Sequence, residues 1–215
     1  MTKLDDVALN IELVLISIIE GVALVSLGEY AVPVLQDFHS LQYLPYVLSG
    51  LTILLVFWAQ AILHAISFIR WPLRMEHMFL YFLAAFLQVV AYSALEDAAA
   101  WFFWWSIFSL LGVLIYIVDL RIIREWAKEF AHNTDKAALA THVEKRHLNE
   151  LRYLLPLVIA LNVGGFCAVY AYPALFEQPF AYAALGMVQF VISIGALIDC
   201  MRNFKARSRM LAKSF

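Results

Sequence analysis

Apolar residues fall in six long blocks along the chain, at roughly 11–35, 43–69, 76–95, 101–120, 152–176 and 180–201, and polar residues collect between them. Read as helix at about 1.5 Å per residue, each block reaches across a hydrocarbon core of about 30 Å, some with tilt. No block alternates as a lipid-facing barrel strand does. Open strands leave backbone groups unsatisfied in lipid, so the blocks predict helices. The expected fold is all-α integral membrane, with six transmembrane helices in one domain, 1–215. Pro72 and Pro179 fit the short turns before the third and sixth blocks, and Pro45 fits the first turn of the second. The longest polar piece, 121–151, predicts a connection of two helices broken at His132-Asn133-Thr134, with Asn133 or Thr134 as N-cap. Glu125, Lys128 and Glu129 fit a solvated face of its first helix.

Composition agrees with membrane spans. The chain is 64% hydrophobic and 15% charged, whereas soluble domains are about half apolar and a quarter charged. Its formal net charge of −2 argues against a nucleic-acid partner, and the lipid bilayer is the expected surrounding. Every Lys and Arg lies before the first block, between the second and third, between the fourth and fifth, on the first residue of the fifth (Arg152), or after the sixth. The positive-inside rule then puts both termini in the cytoplasm, as in a bacterial inner (plasma) membrane protein. The outer loops carry Asp37, Glu96, Asp97 and Glu177. Trp101 to Trp105, Tyr43, Tyr46 and Tyr172 read as the outer aromatic belt, with Trp71 and Trp126 as the inner one. "MTKLDDVALN" lacks the basic start and cleavage site of a secretory signal, so the first span is expected to remain. Cys167 and Cys200 fall near opposite ends of their spans and read as small buried thiols, not a disulfide. "HAISFIR", "VDLRIIR" and "IDCMRNFK" end the even-numbered blocks alike. Three helical hairpins would give this rhythm, and so would positive-inside flanks alone.

Candidate chemistry centres on Glu20, a carboxylate inside "ISIIEGVALVSLGEY". A charge at bilayer depth is costly and rare unless used or paired. Counted from the inner edge, Glu20, Gln60 and Asn162 share one level, with Gln88 and Gln189 slightly further out. Ser17 is one helical turn from Glu20, and His64 shares a face with Gln60 as a proton partner for Glu20. Gly164 and Gly165 beside Asn162 permit close helix approach or a backbone opening. These residues form either a mid-depth site on an ion or solute path or a set of interhelical hydrogen bonds. Glu12, Glu76, Asp119 and Asp199 read as solvated or salt-bridged residues of the inner interface, Asp199 with Arg202.

Nucleotide-binding loops, H-E-x-x-H, C-x-x-C and G-x-S-x-G are missing from the sequence. His64 stands alone within the spans and His77 at an inner edge. His132, His142 and His147 fall in the polar connection, the last two five apart, a spacing that does not suggest a metal site. No cofactor and no metal are expected.

In layout the chain resembles the bacterial homologues of the endolysosomal potassium channel built from six-helix repeats. "GEYAVP" (Gly28 to Pro33), "FWAQAILH" (Phe57 to His64) and "YAYPALF" (Tyr170 to Phe176) carry the likeness, while the F-S-D-G signature of the family's first span is replaced by "ELVLISIIEG". The resemblance implies a homo-oligomer whose first spans line an axial pore, with Ile16, Ile19 and Ala23 or Glu20 on its wall. The function expected is a channel or transporter for a cation, proton or small solute, with Glu20, Ser17, Gln60, His64, Gln88, Asn162 and Gln189 on the path. Two alternatives are a membrane enzyme acting on lipid, with Glu20 and His64 as acid and base, and a scaffold or sensor subunit working through 121–151.

Overall fold

The computed structural model describes residues 3–69 and 72–214, so Arg70 and Trp71, used above for charge and belt, lie outside the described residues. Helix α1 (Lys3–Gln36) leads through a 3-10 turn (Phe38–Tyr43) into α2 (Leu44–Phe68). Then come α3 (Met75–Ser93), α4 (Ala98–Glu129), α5 (Thr134–Asn149), a π turn (Glu150–Leu154), α6 (Leu155–Ala171), the short α7 (Pro173–Phe176) and α8 (Pro179–Ser214). Among the described residues, six helical stretches are long and apolar enough to cross a membrane. No strand occurs among the described residues.

The polar connection differs from its sequence reading. Its first helix is the end of α4, and Phe130 to Asn133 form the break. Asn133 does cap α5, accepting from the Lys136 N–H at 3.0 Å. But α5 then runs into α6 without interruption. Pro156 has no N–H to offer the carbonyl four residues back. The helix widens just before it, where the Leu155 N–H bonds to the Glu150 carbonyl five residues back. Glu125 is exposed, as a solvated face requires, and Arg74 pairs with it there.

Helix α1 packs on α2 and α3, α3 on α4, α4 on α5 and α6, and α2 on α8. At the end carrying the acidic loops, Tyr46, Tyr92, Trp101, Phe102 and Trp105 form a closed aromatic core. Tyr46, Trp101 and Trp105, expected in an outer belt, are buried here instead. The polar atoms of Tyr46 and Trp101 find partners inside, which is what lets such rings leave an interface, while Trp105 Nε1 has no hydrogen-bond partner among the described residues. The Tyr46 hydroxyl donates to the Tyr182 carbonyl at 2.9 Å, and Trp101 Nε1 donates to Gln189 Oε1 at 2.7 Å. Glycine makes room: a Cβ on Gly186 would stand 2.5 Å from the Tyr46 ring. At the basic end, Phe68, Ile122, Ile123, Trp126, Leu139 and Val143 fasten α5 against α4. That contact fixes where the last turn of α5 points.

Candidate functional site

The last turn of α5 points inward, and it carries His147. There it meets His64 from α2, His77 from the first turn of α3, Asp119 from α4 and Glu12 from α1. All five side chains are buried. Asp119 is the hub. Its Oδ2 lies 3.6 Å from His64 Nδ1 and 3.7 Å from His147 Nε2. Its Oδ1 lies 3.1 Å from His77 Nε2. The opposite nitrogen of His77, Nδ1, lies 3.3 Å from Glu12 Oε1. The rings of His64 and His77 stack at 4.9 Å. A carboxylate chain thus runs from Glu12 through His77 to Asp119, and Asp119 turns its other oxygen to two further imidazoles.

Neighbouring charges frame this centre. Arg146 holds Glu150 at 2.7 Å and also pairs with Asp199. Asp199 therefore bridges α8 to α5 rather than pairing with Arg202 along its own helix. Arg207, on the far part of α8, is buried and donates to the Leu63 carbonyl at 3.2 Å and Ser67 Oγ at 3.1 Å.

A cavity of about 170 Å³ begins at the centre and extends between α2, α4, α6 and α8. His64, Asp119 and His147 line one end, Asn162 and Gln189 line another part, and the walls between are mostly apolar. The two sides differ. On the α4 wall Trp105, Ser109, Ile115 and Asp119 are buried and Phe108, Gly112 and Tyr116 half-buried, whereas on α6 and α8 only Asn162, Gln189 and Ser193 are buried and Leu155, Val158, Leu161, Ile192 and Ala196 are half-buried. Helix α6 packs chiefly on α4 and α8 chiefly on α2, so the wall between α6 and α8 is the thin one.

The residues chosen from sequence separate into three groups. Gln60, His64, Asn162 and Gln189 do line one cavity. Asn162 and Gln189 are also joined across α6 and α8: Gln189 Nε2 donates to Asn162 Oδ1 at 3.0 Å, and Asn162 Nδ2 donates to Ser109 Oγ at 3.0 Å. Gln88 stands apart, accepting from the Tyr92 hydroxyl at 3.2 Å. Ser17 is exposed and donates back to the Leu13 carbonyl at 2.8 Å, so it does not join Glu20. Glu20 is buried, and neither of its oxygens has a hydrogen-bond partner. It is not among the cavity's lining residues, and the acid that faces His64 is Asp119. Ile16, Ile19 and Ala23 are buried inside the single chain. Residues that line an axis shared between copies would be exposed on one copy, so this face of α1 is already occupied by the chain's own helices.

Sequence reasoning missed Glu12, His77, Asp119 and His147 as members of one site. The available signal was depth: the first four blocks each carry an acid or a histidine near the same basic end. Comparison of the chain with protein-family models, with curated proteins and with solved structures gives no match to any of them.

Proposed function

We propose that the chain is an integral membrane enzyme that acts on an acyl-chain lipid, with His64, Asp119 and His147 as its centre and both termini on the cytoplasmic side. The observation that carries this reading is the join of two unlike environments. An apolar cavity with a thin α6–α8 wall ends at a buried cluster of imidazoles and a carboxylate. Apolar cavities of about 150 Å³ take benzene-sized guests, so this one suits a length of acyl chain better than a headgroup. A chain entering between α6 and α8 would bring its polar linkage to His64 and His147. Imidazoles beside a carboxylate are suited to moving protons at such a linkage. Hydrolysis of an ester or amide needs only water besides: the water's oxygen joins the carbonyl carbon, the bond to the leaving oxygen or nitrogen breaks, and that atom takes a proton.

The test is to reconstitute the purified chain in liposomes of mixed glycerolipids and sphingolipids and to follow lipid composition by mass spectrometry. Loss of one lipid class with gain of its free acid is expected for the wild type, and not for Asp119→Asn. Unchanged lipid in both would overturn the reading.

A specific observation favours a second reading, movement of a proton or cation. Glu20 is a buried carboxyl with no hydrogen-bond partner, in a helix long and apolar enough to span a membrane. Such residues commonly mark ion pathways. Beyond Gln189, however, the aromatic core around Trp101 and Tyr46 continues toward the acidic loops, and its side chains are closely packed.

A further inference from the structure

We infer that His64, Asp119 and His147 bind one divalent transition-metal ion of the zinc class, through His64 Nδ1, Asp119 Oδ2 and His147 Nε2, with a fourth position facing the apolar cavity. One ligand atom from each of the three residues lies within 4.8 Å of the others. Donors about 2.0–2.2 Å from a tetrahedral zinc stand roughly 3.4 Å apart. The two edges that meet at Asp119 Oδ2, 3.6 and 3.7 Å, have nearly that spacing already. Closing the site asks only for a small approach of His64 and His147 toward each other.

The donor set is also the right kind. Two imidazoles and one carboxylate suit zinc and its neighbours, while calcium and magnesium prefer an all-oxygen shell. Three protein donors and one open position are the pattern of reactive rather than purely structural zinc sites. Here the open position has somewhere to lead, because all three donors line the cavity.

Two further observations are independent of the spacing. His64 is only 2% exposed, and neither of its ring nitrogens makes a hydrogen bond. A buried polar ring without hydrogen bonds is costly, and a cation on Nδ1 would remove part of that cost. The third histidine is placed behind the site, not in it. His77 holds Asp119 by the oxygen turned away from the other two rings, and Glu12 holds His77 in turn. Outer carboxylate and imidazole partners of this sort fix a ligand's orientation and raise its affinity for metal.

The inference rests on this cluster being the working site proposed above, and metal binding and lipid turnover are measured separately. The full chain is purified without a polyhistidine tag, stripped with chelator, and titrated with Zn²⁺ by equilibrium dialysis. Co²⁺ is added in parallel and the visible d–d absorption recorded. About one ion per chain and a tetrahedral Co²⁺ spectrum are expected. Single changes His64→Gln, Asp119→Asn and His147→Gln should each weaken zinc binding by more than tenfold, and His77→Gln by about 10–100-fold. His132→Gln and His142→Gln, at exposed positions, should leave it unchanged. Should a cluster variant fail to fold, the wild-type stoichiometry and spectrum still decide. Folded wild type that takes no zinc and gives no Co²⁺ band overturns the inference, as does binding that moves only with His132 or His142. Zinc bound without lipid turnover upholds the metal site and overturns the enzyme reading. Turnover by a chelator-stripped protein that also takes up no zinc overturns the metal site and leaves the enzyme reading standing.

Discussion

His77 and Glu12 face each other at 3.3 Å from the starts of α3 and α1, deep in the bundle and away from water. On its other side His77 reaches Asp119. One imidazole therefore separates two buried carboxylates. Removing it strips Glu12 of its imidazole partner and Asp119 of the one on its Oδ1, and breaking a buried pair in this way costs about 3–5 kcal/mol. His77→Leu should lower stability by that order in SDS-induced unfolding from mixed micelles. Combining it with Glu12→Gln should recover part of the loss, because one of the stranded charges is gone. A double variant as unstable as the sum of the singles would show that His77 and Glu12 are not coupled.

The link between Asn162 and Gln189 is the counterpart at mid-depth. It ties α6 to α8 across the thin side of the cavity. Interhelical hydrogen bonds in membranes average about 0.6 kcal/mol and reach about 1.7 kcal/mol. A double-mutant cycle with Asn162→Ala and Gln189→Ala should give a coupling in that range. Gln189 also accepts from Trp101 and Asn162 also donates to Ser109, so each single variant should cost more than the coupling alone. Zero coupling would mean that α6 and α8 do not meet through these amides.

Hydrophobic run length was enough to expect six long helices, because a block of twenty apolar residues has few other ways to satisfy its backbone. The extent of those helices was less legible. Lys3 to Asn10 and Arg202 to Ser214 are polar or mixed, yet they continue α1 and α8. Depth along a helix could be counted, and Gln60, Asn162 and Gln189, read at similar levels, line one cavity together with His64. Rotation about the helix axis could not be counted. Glu20 and Ser17 lie on different sides of α1, one buried and one exposed. Asp119 and Glu12 looked like interface acids because their depth suits headgroups, but the side that α3 and the end of α5 cover is set by packing. His147 was the hardest to see. It joins the site only because α5 folds back along α4 and passes into α6 through the π turn.

Rotation can be tested at two adjacent glycines of α6. A Cβ on Gly165 would stand 2.7 Å from the Phe102 ring, whereas one on Gly164 meets nothing within 4 Å. Overpacking a filled interface costs about 1–3 kcal/mol. Gly165→Ala should lose stability of that order in mixed-micelle unfolding, and Gly164→Ala should be neutral or slightly stabilising. The opposite ranking would mean that α6 presents another face to α4.

Glu20 separates the two functional readings. Neither of its oxygens is hydrogen-bonded, and it sits outside the cavity that holds the histidine cluster. A buried polar group without a partner costs about 1–3 kcal/mol relative to an apolar one of similar shape. If that is its whole role, Glu20→Met should stabilise the protein by about that amount, and Glu20→Gln should change little. Lipid turnover should then survive both changes, because the reacting centre does not include Glu20. A proton or cation path through α1 has a different signature. Proteoliposomes carrying wild type would show a flux that rises or falls with pH, and Glu20→Gln would abolish it or remove its pH dependence. Flux measured at two pH values on the same preparations used for lipid analysis decides between them. Turnover without flux leaves the carboxyl an unfavourable neighbour of the bundle core, and flux lost in Glu20→Gln makes α1 the permeation helix.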